Sequence, residues 1–143
     1  MKRIGCFLLV ALLLSVLMGG ISCQGKTPEY TTATPEGTIR LLLDAYQDLN
    51  TNKAAKLFVK EDREKVLSKI NPLWSQYKSV SLSEVKIEVI TQTENTAKLK
   101  VHYHVVITKK VGPQDPFPFR KSDDKYDLVK QGDEWLIKAP PDL

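Results

Sequence analysis

From Thr34 onward, apolar side chains fall first at helical and then at alternating spacing. Ile39, Leu42, Leu43, Tyr46 and Leu49 recur every three or four residues, and Arg40, Asp44, Gln47 and Asp48 occupy the other face. Thr34 and Pro35 supply a cap and a first-turn proline, and Glu36 puts negative charge where the helix dipole favours it. An amphipathic helix is therefore predicted, closed by the turn-forming Asn50, Thr51 and Asn52. A short second helix is predicted over 53–59, capped by Asn52, with Ala54, Leu57 and Phe58 inward. Residues 61–70 keep the period through Val66, Leu67 and Ile70, and Pro72 is expected to break it at Asn71 before one further turn through Leu73, Trp74 and Tyr77.

Beyond Val80 the period becomes two. Val85, Ile87 and Val89 alternate with Glu84, Lys86 and Glu88, and after a polar turn over 91–96 the alternation resumes at Ala97, Leu99, Val101, Tyr103 and Val105. Three prolines, Pro113, Pro116 and Pro118, make 111–119 a rigid loop or irregular edge. Tyr126, Leu128 and Val129 then face Trp135, Leu136 and Ile137 across a hairpin whose Gly132 suits a positive φ. Helices followed by an antiparallel meander define an α+β domain: N-terminal helices packed on a curved antiparallel sheet of about four strands, in one domain over 34–143.

Composition narrows the chemistry. The chain has 143 residues, 42% hydrophobic and 27% charged, which suits one modest globular domain. Its two cysteines, Cys6 and Cys23, both precede that domain, so the domain has no disulfide framework, cysteine metal site or thiol nucleophile. The runs over 60–65 and 121–125 alternate in sign, the mark of a solvated surface, and no phosphate-cradling glycine loop is present. Removing Lys2 and Arg3 with the leader would lower the net charge from +4 to +2, so nucleic acid is not an expected partner.

Lys2 and Arg3 precede an apolar run from Phe7 to Met18, followed by Gly19, Gly20, Ile21, Ser22 and Cys23. Twelve such residues rise about 18 Å as a helix, short of a bilayer core of roughly 30 Å, although Ile4 to Ile21 would reach as an uncleaved anchor. This order resembles a bacterial lipoprotein signal, with Gly20 where that family usually has a branched apolar residue. The resemblance implies a signal peptide over 1–22, an acylated Cys23 and a tether over 23–33. The protein would then be held on the membrane of the bacterial envelope, facing an extracytoplasmic space.

The first helix, the short second helix at Leu57 and Phe58, and the closing hairpin with Trp135, Leu136 and Ile137 resemble the nuclear-transport-factor-2-like fold, a cone of helices on a bent sheet. The resemblance is closest to its small lipoprotein members of unknown function. Enzymes resembling this fold, ketosteroid-isomerase-like and polyketide-cyclase-like, place carboxylate, tyrosine or histidine groups in the cavity between helices and sheet. Tyr46, Tyr103 and Asp44 are the residues to inspect for such a pocket. Both tyrosines sit on core stripes, and Asp44 sits on a polar face.

His102 and His104 share one side of a strand, opposite Leu99, Val101 and Tyr103, and are read as a polar sheet face. Phe58, Trp74, Tyr126 and Trp135 follow core periods. Phe117 and Phe119, held between prolines, are the candidates for partner contact, with tucking onto the sheet edge as the competing explanation. No acid pairs with a base at a recognisable spacing, so the expectation is a binding module rather than an enzyme, without metal or cofactor. Its partners would be the membrane, an envelope protein or small apolar ligand, and a second copy through the sheet face. A small pocket enzyme is the alternative reading, and a structural envelope component the third.

Overall fold

The computed structural model describes residues 29–114 and 119–140, so the expected signal peptide, Cys23 and Phe117 lie outside the described residues. Helix α1, Pro35–Gln47, begins as its sequence predicts: the Gly37 N–H donates to Thr34 Oγ1 at 3.0 Å, and Pro35 occupies the first turn. Gly37 is required there because a Cβ would lie 2.1 Å from the Thr31 carbonyl oxygen, which turns over the helix start.

Helix α2, Thr51–Lys56, starts two residues earlier than expected, and Asn50 rather than Asn52 caps it by accepting from the Lys53 N–H at 2.9 Å. The cause is the reversal before it. Leu49 takes a φ of 52° and the Asn50 N–H returns to the Ala45 carbonyl, so Asn50 already stands at the new helix start. Helix α3, Arg63–Trp74, runs through Pro72 where a break is expected. Only Leu73 and Trp74 of the helix follow the proline, which is exposed; Trp74 is anchored in the core, and the Pro72 carbonyl accepts from Ser75 Oγ and Gln76 Nε2, closing the helix there.

Four strands follow: β1 (Tyr77–Gln92), β2 (Thr96–Lys109), β3 (Phe119–Gln131) and β4 (Glu134–Lys138), hydrogen-bonded in that order as an antiparallel meander. Gly132 turns the last hairpin at a φ of 63°. In β1 the register shifts between Ser83 and Lys86, where Glu84 takes a φ of 52°, a bulge that bends the long strand. The helices fill the concave side, burying Ile39, Leu43, Val66 and Trp74 against Leu99, Val101, Leu128 and Ile137. Each such side chain contributes about 1.5–3 kcal/mol by leaving water.

Strand β3 corrects the reading of 121–125 as a solvated run. The alternation of the closing hairpin extends back through it, placing Ser122, Asp124, Tyr126 and Leu128 on the concave side and Lys121, Asp123, Lys125 and Asp127 outside. Opposite them on β2 stand Tyr103, Val101, Leu99 and Ala97.

Strand β4 is short and pairs with β3 only from Asp127 to Gln131. Its outer edge is covered by a parallel bridge from Phe58 to Ile137. It stops where the Ala139 N–H donates to Asp62 Oδ2 at 2.8 Å and Pro140 has no N–H to offer.

Candidate functional site

Among the described residues, the stretch from Asp123 to Tyr126 has a ladder partner on the β2 side only, because β4 pairs with β3 no further than Asp127. Beside that margin, between β3 and the helices, opens a cavity of about 760 Å³. Its apolar wall comes from Leu42, Ala54, Val66, Ile70 and Ile137, and its aromatic surface from Phe58, Trp74 and Tyr126. Volume and lining match pockets that enclose small organic molecules. Phe58, Trp74 and Tyr126, expected as core filler, therefore have a second role as wall.

Asp124 is the charged side chain that the inward alternation of β3 delivers to this wall. Tyr103 donates its hydroxyl to Asp124 Oδ2 at 2.6 Å and Ser122 donates to Oδ1 at 3.0 Å. Burial, then the Asp124 charge, pushes the Tyr126 phenol well above its ordinary value. Burial followed by the hydrogen bond to Asp124 does the same to Tyr103. Tyr46 is pushed up to about 12, by burial first and by Tyr77 and Asp124 after it, with Arg120 acting in the opposite sense. These phenols thus stay protonated across the physiological range, and Tyr103 donates to the carboxylate they surround.

Of the two tyrosines expected at a pocket, Tyr103 reaches it through Asp124, and Tyr46 backs its wall by packing on Trp74 with ring centroids 5.1 Å apart. Asp44 is half-buried and away from the cavity wall. Asp124 itself escapes sequence reading because it stands in an alternating charged run; continuing the period of two backwards from Leu128 through Tyr126 would find it.

The convex face carries a charged network. His102 is flanked by Asp123 at Nδ1 and by Glu88 at Nε2, 3.5 Å away, and Glu88 pairs with Lys86 at 2.7 Å. His104 Nδ1 lies 3.3 Å from Glu84 Oε1 without hydrogen-bond geometry, and its ring packs edge-on against Phe119 at 4.5 Å. Phe119 remains 52% exposed at the start of β3. Among the described residues, no group of three or more histidines, cysteines and carboxylates is arranged to hold a metal ion, and no helix is long and apolar enough to cross a membrane.

The sequence matches no family model and no curated protein. Solved structures do resemble it. A proposed aromatic ring hydroxylase from Novosphingobium aromaticivorans superposes with a TM-score of 0.61 at 8% identity, over 79% of this chain and 88% of that one. A proposed scytalone dehydratase from the same organism gives 0.55 at 15% identity, over 72% and 76%. A proposed dehydratase of the NTF2-like family from Streptomyces avermitilis gives 0.54 at 11% identity, over 70% and 85%. At such identities the likeness is one of fold, and the fold is the nuclear-transport-factor-2-like α+β cone with its small pocket. It also corrects the expectation that the chain is not an enzyme: three neighbours with this architecture bear enzyme names, so the absence of a motif in the sequence does not argue against catalysis.

Proposed function

We propose that the protein is a lipid-anchored receptor of the bacterial envelope that takes a small organic molecule into the cavity beside β3. The observation that carries the ligand reading is an apolar and aromatic cavity of about 760 Å³ with one inward carboxylate, Asp124, in its wall. The anchor rests on the order of basic start, apolar run, small residues and Cys23. Acyl chains on that sulfur would keep the domain at a membrane surface, each buried methylene adding about 0.8 kcal/mol.

Two measurements test it. Intact mass and fractionation of the full chain are expected to show acylated Cys23 in membranes, and Cys23→Ser in the soluble fraction; an unmodified sulfur overturns the anchor. Titration of the full chain with 2-phenylethanol and with 2-phenylethylamine is expected to show saturable binding of at least one, weakened when Val66→Phe fills the cavity. Binding of neither overturns the ligand reading.

A second reading, catalysis in the same cavity, is favoured by the 2.6 Å hydrogen bond from Tyr103 to Asp124. A carboxylate held by a phenol and a serine hydroxyl at the wall of a largely apolar cavity is a group set for moving a proton to or from carbon or oxygen. Turnover of a candidate substrate that Asp124→Asn abolishes while binding persists would establish it; turnover unchanged by that substitution removes Asp124 from the chemistry.

A further inference from the structure

We infer that the molecule admitted to this cavity is an organic cation, an amine or quaternary ammonium attached to an apolar body. This rests on the ligand reading above and adds the sign of charge the cavity selects. Two features converge. The first is the aromatic wall: Phe58, Trp74 and Tyr126 line the space, and the negative faces of aromatic rings attract an ammonium group, most strongly out of water. The second is that Asp124 shares that wall, so carboxylate and ring surfaces can act on one cationic head.

The rest of the lining agrees. Tyr103 and Ser122 donate to Asp124 from its own sheet face and fix its side chain, while Leu42, Val66 and Ile70 offer only apolar contact to the body of a ligand. Lys125 and Lys138 also border the space, but both are exposed and on the alternation that points away from the concave face, where Asp123 and Asp127 beside them offset their charge. Arg120, four residues from Asp124 and on the same inward alternation, acts electrostatically on Tyr46 and Tyr77 and stands outside the cavity lining. A neutral alcohol of the same shape would gain the apolar contacts but neither charge interaction. An anion would meet Asp124 as a like charge.

The test compares three probes of similar size on the full chain at neutral pH: 2-phenylethylammonium, 2-phenylethanol and 3-phenylpropionate. Calorimetry is expected to give about tenfold tighter binding for the ammonium than for the alcohol, and the weakest for the carboxylate. Asp124→Asn is expected to shrink the ammonium preference to the smaller part that the ring faces supply. Equal binding of ammonium and alcohol by the unaltered chain, or an ammonium preference left at full size by Asp124→Asn, overturns the inference while leaving the ligand reading intact. Binding of none of the three overturns both. The probe comparison needs no variant, so it stands even where Asp124→Asn fails to fold.

Discussion

Thr38, fully buried on α1, donates its hydroxyl to the main-chain carbonyl of Trp135 at 2.8 Å, tying the first helix to the last strand across 97 residues of chain. The same neighbourhood is held by the Trp135 N–H, which donates to the Thr32 carbonyl at 2.7 Å. Thr38→Val keeps the shape and deletes the donor, leaving a buried carbonyl unpaired. Chemical denaturation is expected to show a loss of about 1–3 kcal/mol; an unchanged midpoint would mean that the carbonyl finds water.

Tyr103→Phe removes one of the donors to Asp124 without opening a hole. The expected loss is about 1–2 kcal/mol in denaturant. Ser122→Ala should act in the same direction, and the double variant should lose more or less than the sum, because both act on one carboxylate. Strict additivity in that cycle would show the two bonds to be independent.

Gly37→Ala places a methyl group 2.1 Å from the Thr31 oxygen and 2.9 Å from Thr34 Oγ1. The turn over 31–34 must move, and the cap with it. A destabilisation of roughly 1–3 kcal/mol is expected by thermal or denaturant unfolding. A neutral outcome would show that the segment before α1 yields freely.

Alkaline pH should weaken the fold. The phenols of Tyr46, Tyr103 and Tyr126 all sit above their ordinary value in the folded chain, chiefly through burial. Above the unfolded value of 10.0 the unfolded chain gives up protons that the folded chain keeps, so it binds fewer, and stability falls as pH rises. Thermal melts should be level on this account at neutral pH and decline from pH 10.0 through about 12, the value for Tyr46. Phenolate absorbance should emerge together with unfolding; a melting temperature flat through this window would contradict the burial of these hydroxyls.

The helical half of the chain reads well because its signals are local. Thr34, Pro35 and Glu36 start α1, and Ala54, Leu57 and Phe58 turn inward as their spacing implies. Pro72 misleads because the cost of proline depends on how much helix follows, which local sequence does not state. The cavity is the least legible part. Asp124 looks like one charge among several; the alternation running back from Leu128 turns it inward, and the register that sets it against Val101, and Tyr126 against Leu99, shows what it meets there. Phe58 and Trp74 have the same apolar pattern whether they fill space or border it.

Ala139 and Pro140 decide how wide the cavity stands. A regular strand through 139 and 140 would set its backbone against Tyr126 and Lys125, which border the entrance beside Asp124. The Ala139 N–H points with that of Ile137 toward the helix side, where Asp62 receives it, and Pro140 has no N–H to offer β3 for the next rung, so the doorway stands at these two residues.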